Sequence, residues 1–193
     1  MSAVNAPFGL KPVRVIGQDN LPAPTAVPNG IPSGYGTAIL QNQPVAFSTT
    51  GAIIAYGGTG PLLGTFQGVE FIDSTGRKQV LNRWPAGQTL AANTVATVFV
   101  TRDPTIVYEI QASGSLAQSS IGDQASFSAA TAGSTVTGYS QAMINTTLAG
   151  AGNTAQLRIL ELAPYSDNAW GDAFTVVRVQ IAAHQEAAQA VAY

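Results

Sequence analysis

Thr94-Val-Ala-Thr-Val-Phe-Val-Thr101, the turn Arg102-Asp-Pro104 and then Thr105-Ile-Val-Tyr-Glu-Ile-Gln111 decide the fold. Both runs are rich in β-branched and aromatic residues, which pack well on a pleated surface and lose rotamer freedom in a helix. In the second run Ile106, Tyr108 and Ile110 share one face of the pleat, with Val107, Glu109 and Gln111 on the other. The first run turns inward either Val95, Thr97 and Phe99 or their alternates, since a slip of one residue reverses every side chain. A fully buried Phe99 would cost about 3–5 kcal/mol on truncation to Ala.

The same pattern extends in both directions. Short apolar runs bounded by turn residues predict strands near 35–40, 43–48, 51–56, 62–73, 79–84, 124–128, 136–145, 155–163 and 174–180. Leu157, Ile159 and Glu161 alternate with Arg158, Leu160 and Leu162. Asp73-Ser-Thr-Gly76 between two apolar runs has the form of a hairpin loop, with Gly76 supplying the positive φ. Strand follows strand at a spacing of about ten residues with no amphipathic helix between them, which predicts an antiparallel all-β domain, barrel or sandwich, over 35–180.

The flanks differ. Residues 1–34 hold six of the eleven prolines, Pro7, Pro12, Pro22, Pro24, Pro28 and Pro32. Proline fixes φ and donates no backbone hydrogen bond, so this stretch is expected to be an extended N-terminal arm and neither a helix nor a central strand. Phe8, Leu10, Val13, Val15 and Ile16 are too apolar for a solvated tail, so residues 4–16 are expected to fold onto another protein chain, with Pro7, Phe8, Leu10, Pro12 and Val13 as the interface residues. A body whose strands begin at Tyr35 is expected to fold without residues 1–16. Residues 181–193 form a short Ala-rich tail, a turn or second arm.

Composition restricts the chemistry. Only 18 of 193 residues are charged, with one His and no Cys, whereas soluble domains average about 25% charged. Catalysis at neutral pH needs clustered titratable groups, so no catalytic residue and no enzyme activity is expected. His184 lies in the Ala-rich tail of a chain that contains no G-x-S-x-G nucleophile elbow, and it is expected to face solvent. A zinc site needs three or four Cys, His or carboxylate ligands, and one His with no Cys leaves almost nothing to build one with. Asp167-Asn-Ala-Trp-Gly-Asp172 reads as a hydrogen-bonded turn and lacks the spacing of a calcium loop. Gly57-Gly-Thr-Gly60 lacks the Lys of a phosphate loop. No metal or cofactor is expected. Glu70, Glu109 and Glu161 all fall in strands, and a facing pair would be needed for glycosidase chemistry. The basic residues Lys11, Arg14, Arg77, Lys78 and Arg83 are too few for a nucleic-acid surface. The net charge of −2 implies no general attraction to nucleic acid or anionic membranes. No signal peptide and no membrane span is predicted. A surface that repels itself so little favours assembly.

Several strings carry a resemblance. Asn5-Ala-Pro-Phe-Gly-Leu-Lys-Pro-Val-Arg14 opens the chain, Gly34-Tyr-Gly-Thr-Ala-Ile39 leads the first expected strand, and Leu63-Gly-Thr-Phe-Gln-Gly-Val-Glu-Phe71 is followed by Trp84-Pro-Ala-Gly87. Asn168-Ala-Trp-Gly-Asp172 comes before the last strand. In this order they resemble the capsid decoration, or cement, proteins of tailed bacteriophage heads, over nearly the whole chain. The resemblance implies a trimeric or otherwise multimeric β-rich virion protein, made in the host bacterial cytoplasm and bound to the outer face of the head. Its partners would be the major capsid protein and copies of itself. The alternative is a head-fibre or tail-associated receptor-binding module. A carbohydrate-binding version would gather Trp84, Trp170 and tyrosines in a groove.

Overall fold

The two runs that decide the fold form adjacent strands in the chain but belong to different sheets. The computed structural model describes residues 4–18, 20–150 and 152–187. In chain order the strands are β1 (Lys11–Val15), β2 (Thr25–Ile31), β3 (Pro44–Phe47), β4 (Ile53–Ala55), β5 (Gly64–Ile72), β6 (Lys78–Leu81) and β7 (Ala96–Thr101). They continue as β8 (Ile106–Gln111), β9 (Gln124–Phe127), β10 (Gly133–Ser134), β11 (Tyr139–Ser140), β12 (Ile144–Leu148), β13 (Leu157–Leu162) and β14 (Val176–Ile181). One 3-10 turn, Gln118–Ser120, interrupts them. The fold is antiparallel and all-β, as the alternation predicts.

The first sheet runs β1-β8-β14-β13-β9-β12. A bridge between Ala112 and Ile144 returns its far strand toward the end of β8, and the Ser113 amide donates to the Ile144 carbonyl at 2.9 Å. The sheet therefore curls into a barrel around Ile106, Tyr108, Ile110, Leu157, Ile159 and Val179. The second sheet runs β2-β7-β5-β3-β4, with β6 on the far half of β5. Its core is separate and includes Ile31, Val45, Phe66, Val98, Val100 and Trp84. Trp84 packs edge-on against Phe71 with centroids 5.5 Å apart, and its indole N–H donates to the Tyr35 carbonyl.

Burial along the two decisive strands follows from their surroundings. On β7 the alternates win: Ala96, Val98 and Val100 are fully buried, Phe99 is half-buried on the outer face and Val95 is exposed. On β8 every residue is buried, because the barrel core covers one face while Arg178, Tyr165 and the Val4–Ala6 backbone cover the other.

The first 34 residues correct the expectation of a separate arm. They are extended, but they pair within their own chain. β1 pairs with β8 and β2 with β7, so the strand pattern begins well before Tyr35. Both are edge strands, the positions where proline is tolerated because one side of the backbone needs no ladder partner. Leu10, expected to lack a local core, is fully buried in the barrel core. Just before it, Gly9 has φ +79, and a Cβ there would lie 2.6 Å from the Asn42 carbonyl oxygen. The close approach lets the Leu10 amide donate to that oxygen at 2.9 Å. Periodicity missed β1 and β2 because each is bulged, between Pro12 and Arg14 and between Val27 and Ile31.

Two other expectations change. Residues 35–40 are a loop held by the Ile39–Trp84 bridge, and the run 136–145 splits between β11 and β12. At the C-terminal end, Ile181 completes β14 and the chain then turns against the second sheet. The Leu62 amide donates to the Ala183 carbonyl and the Gln185 amide to the Leu62 carbonyl, both at 2.9 Å. The Gln185 side chain adds a two-point clasp, accepting from the Phe47 amide at 2.7 Å and donating to its carbonyl at 3.2 Å. The rest of the expected tail, residues 188–193, lies outside the described residues.

Candidate interaction surface

The chain passes between the barrel and the second sheet from β1 to β2 and from β7 to β8, and isolated bridges at Gln41–Tyr139 and Leu62–His184 join the two along a seam. At one end Gln41 bridges Tyr139, with the Gln41 amide donating to the Gly138 carbonyl and the Ser140 amide to the Gln41 carbonyl. Beside this bridge opens a cleft of about 340 Å³. Pro12, Leu21, Pro22 and Pro24 form its apolar side, while Lys11, Gln41, Asn42, Gln67, Thr101 and Tyr139 bring polar groups. A second hollow, about 300 Å³, lies on the other side of Lys11 between Ala6, Phe8 and Tyr165.

Two backbone irregularities shape the cleft floor. Gln67 is the extra residue of a β-bulge, because Phe66 faces Val100 while Gly68 faces Phe99. A bulge redirects the side chain of its unpaired residue. Gln67 Nε2 donates to Asn42 Oδ1 at 3.3 Å and to Thr65 Oγ1 at 3.1 Å. Asn42 has φ 61, a left-handed conformation that Asn tolerates better than most side chains.

The outer face of the barrel carries an ion network. Arg178 reaches Glu109 at 3.1 Å through Nε and Glu161 at 3.1 Å through Nη1, and Arg14 reaches Glu161 at 2.9 Å. The Tyr165 hydroxyl donates to the other Glu109 oxygen. Burial followed by the neighbouring Glu109 carboxylate pushes the Tyr165 hydroxyl up to about 12. Partial burial raises the Glu161 carboxyl, but its bonds to Arg178 and Arg14 outweigh that and hold it below the ordinary range. The fold thus brings Glu109 and Glu161 to one arginine, while Glu70 pairs with Lys78 at 2.7 Å on the other sheet. Both carboxylates of the barrel pair bond to the Arg178 guanidinium, and Glu161 also to Arg14.

The remaining sequence candidates take structural places. Of the five residues expected to bind a partner, Leu10 and Pro12 are buried, and Pro7, Phe8 and Val13 are half-buried. His184 does not face solvent: it is 2% exposed at the other end of the seam. Its Nδ1 accepts from the Glu186 amide at 3.0 Å, and its Nε2 is buried without a hydrogen bond. Burial lowers its pKa against the opposing pull of the Glu186 and Asp103 carboxylates and the Arg102 and Leu63 carbonyls. The Asp167–Asp172 stretch is a turn built on Asn168, whose side chain donates to the Ala163 and Val176 carbonyls and accepts from the Val176 amide. Gly60 ends its glycine run with a carbonyl that accepts from the Tyr56 hydroxyl at 2.6 Å. Trp84 is a core residue and Trp170 packs on the barrel core, so the tryptophans do not share a groove. Among the described residues no three His, Cys, Asp or Glu side chains gather as a metal site, and no helix is long and apolar enough to cross a membrane.

Sequence reasoning missed the cleft because its residues come from segments around 11–24, 41–42, 67, 101 and 139. The local signals that point to it are the proline cluster and Gln67 within an otherwise apolar strand. Compared with known family models, curated proteins and solved structures, the chain matches none.

Proposed function

We propose that the protein is a structural component of a tailed-bacteriophage head, bound to the outer surface of the capsid and cementing it by bridging capsomers. Its partners are the major capsid protein and further copies of itself, most simply as a homotrimer. The reading is carried by the way the few charges are spent. Arg14, Glu161, Arg178 and Glu109 form one network, and Glu70–Lys78, Asp73–Arg77 and Arg102–Glu186 form pairs. The surface is accordingly poor in charge, with only 18 charged residues in the chain, and it carries apolar side chains on the outer face of the second sheet. There Glu70 lies between Thr97 and Val80 in register. Val80 is 66% exposed, Val95 52% and Ile72 36%. Such a face tolerates close packing against a shell, and many weak contacts add up through multivalency.

Cryo-electron microscopy of the particle whose genome encodes the chain tests the proposal. Density matching two β units over the outer shell at regular capsomer positions is the expected result. Density confined to a fibre or to the tail would replace this reading with the receptor-binding alternative, and absence of the chain from purified particles would overturn both.

A further inference from the structure

We propose that the cleft beside Tyr139 is a binding site for a short saccharide, with acidic sugars preferred. The inference does not depend on where in a particle the chain sits. The cleft is where the backbone departs from regular sheet twice, at the Gln67 bulge and at left-handed Asn42, and such departures concentrate at binding sites. Its volume lies at the lower end of the roughly 300–1,000 Å³ typical of ligand pockets.

The lining selects the ligand. No carboxylate lines the cleft, so a metal ion or an amine would find no counter-charge. The polar groups are mainly amides. Gln67 uses its Nε2 inside the protein and keeps its carbonyl oxygen as an acceptor, while the Gln41 side chain and the Tyr139 hydroxyl have no partner within the described residues. Uncharged groups that offer both donors and acceptors are matched by hydroxyl groups, which do both. The half-exposed Tyr139 ring and the walls of Leu21, Pro22 and Pro24 provide flat apolar surface for the C–H faces of a sugar ring. The Lys11 ammonium at the edge forms no ion pair within the described residues and supplies the one charge, which favours a uronate.

Saturation-transfer NMR on the full chain tests this with three probes: cellotriose, chitotriose and trigalacturonate. Transfer is expected to all three, strongest to trigalacturonate, with a dissociation constant of about 1 mM. Tyr139→Ala and Gln41→Ala should each weaken binding about tenfold while circular dichroism stays unchanged, since neither side chain bonds to the rest of the protein. Lys11→Gln should reduce trigalacturonate to the level of the neutral sugars, and Arg158→Gln, away from the cleft, should change nothing. No transfer to any of the three sugars, or transfer that survives Tyr139→Ala, overturns the proposal. Tyr139-dependent binding of a proline-rich peptide in the absence of sugar binding would likewise overturn it and assign the cleft to a protein partner.

Discussion

Gly64 stands where β5 passes Thr101, and a Cβ added there would lie 1.9 Å from the Thr101 carbonyl oxygen. Backbone cannot yield as a flexible side chain does, so Gly64→Ala should cost at least about 3 kcal/mol in denaturant titration. The two phenylalanines of the second sheet make a sharper comparison. Phe66 is fully buried and its replacement by Ala should cost about 3–5 kcal/mol. Half-buried Phe99 should cost less, about 1–2 kcal/mol, because part of its ring is already exposed; equal losses would mean that the register of β7 is reversed. His184 predicts a pH dependence. Its pKa is lowered in the fold by burial, so below about 6.5 the unfolded chain takes up the proton more readily than the folded one. Its contribution is intact above that pH and is lost as pH falls through the folded value. Denaturant midpoints measured from pH 7.5 to about 5 should therefore decline, and His184→Gln should flatten the decline. Keeping above about pH 5 separates this from Glu161, whose lowered pKa delays its own loss of stability to more acidic conditions.

Among the elements, β1 is the one whose role differs most from the sequence reading. It closes the open edge of β8 and brings Leu10 into the barrel core. Deleting residues 1–16 should lower the melting temperature and expose a bare strand edge prone to pairing with other chains. Leu10→Ala alone should cost about 2–5 kcal/mol. A truncated chain that melts at the full-length temperature would show that β1 is dispensable. Any partner contact proposed for this segment would be left to side chains that remain accessible, such as Lys11 and half-buried Phe8 beside the smaller hollow.

For the whole molecule, the proposed docking on a capsid would rest on the exposed apolar side chains of the second sheet. Contacts made by Val80, Val95 and Ile72 should be insensitive to ionic strength, since screening acts on exposed charges and not on apolar burial. Capsid occupancy is therefore expected to hold between about 0.05 M and about 0.5 M NaCl, measured by co-sedimentation with heads. Val80→Lys should strip it by placing a charge in the apolar contact. Detachment by salt with no effect of Val80→Lys would place the docking surface elsewhere.

Local chemistry was enough to write much of this fold. β-Branched runs with period-two alternation located β3 to β9 and β13 and β14 because pleat and burial act over neighbouring residues, and Asp73–Gly76 announced its hairpin through turn chemistry. The scarcity of titratable groups was likewise visible in composition. Proline and the bulges obscured β1 and β2, whose extended backbone is stabilised by partners about a hundred residues away for β1 and about seventy for β2, beyond the reach of any local pattern. His184 looked like a tail residue because nothing near it in sequence reveals that Leu62 pairs beside it. Glu109 and Glu161 were plain as strand residues, but their meeting at Arg178 depends on the order β8-β14-β13. The cleft is of the same kind: Lys11, Gln41, Gln67 and Tyr139 carry no joint signature until two sheets and a bulge bring them to one seam. Alternation settles which side chains leave the backbone together, and only the path of the chain between sheets settles which of them meet.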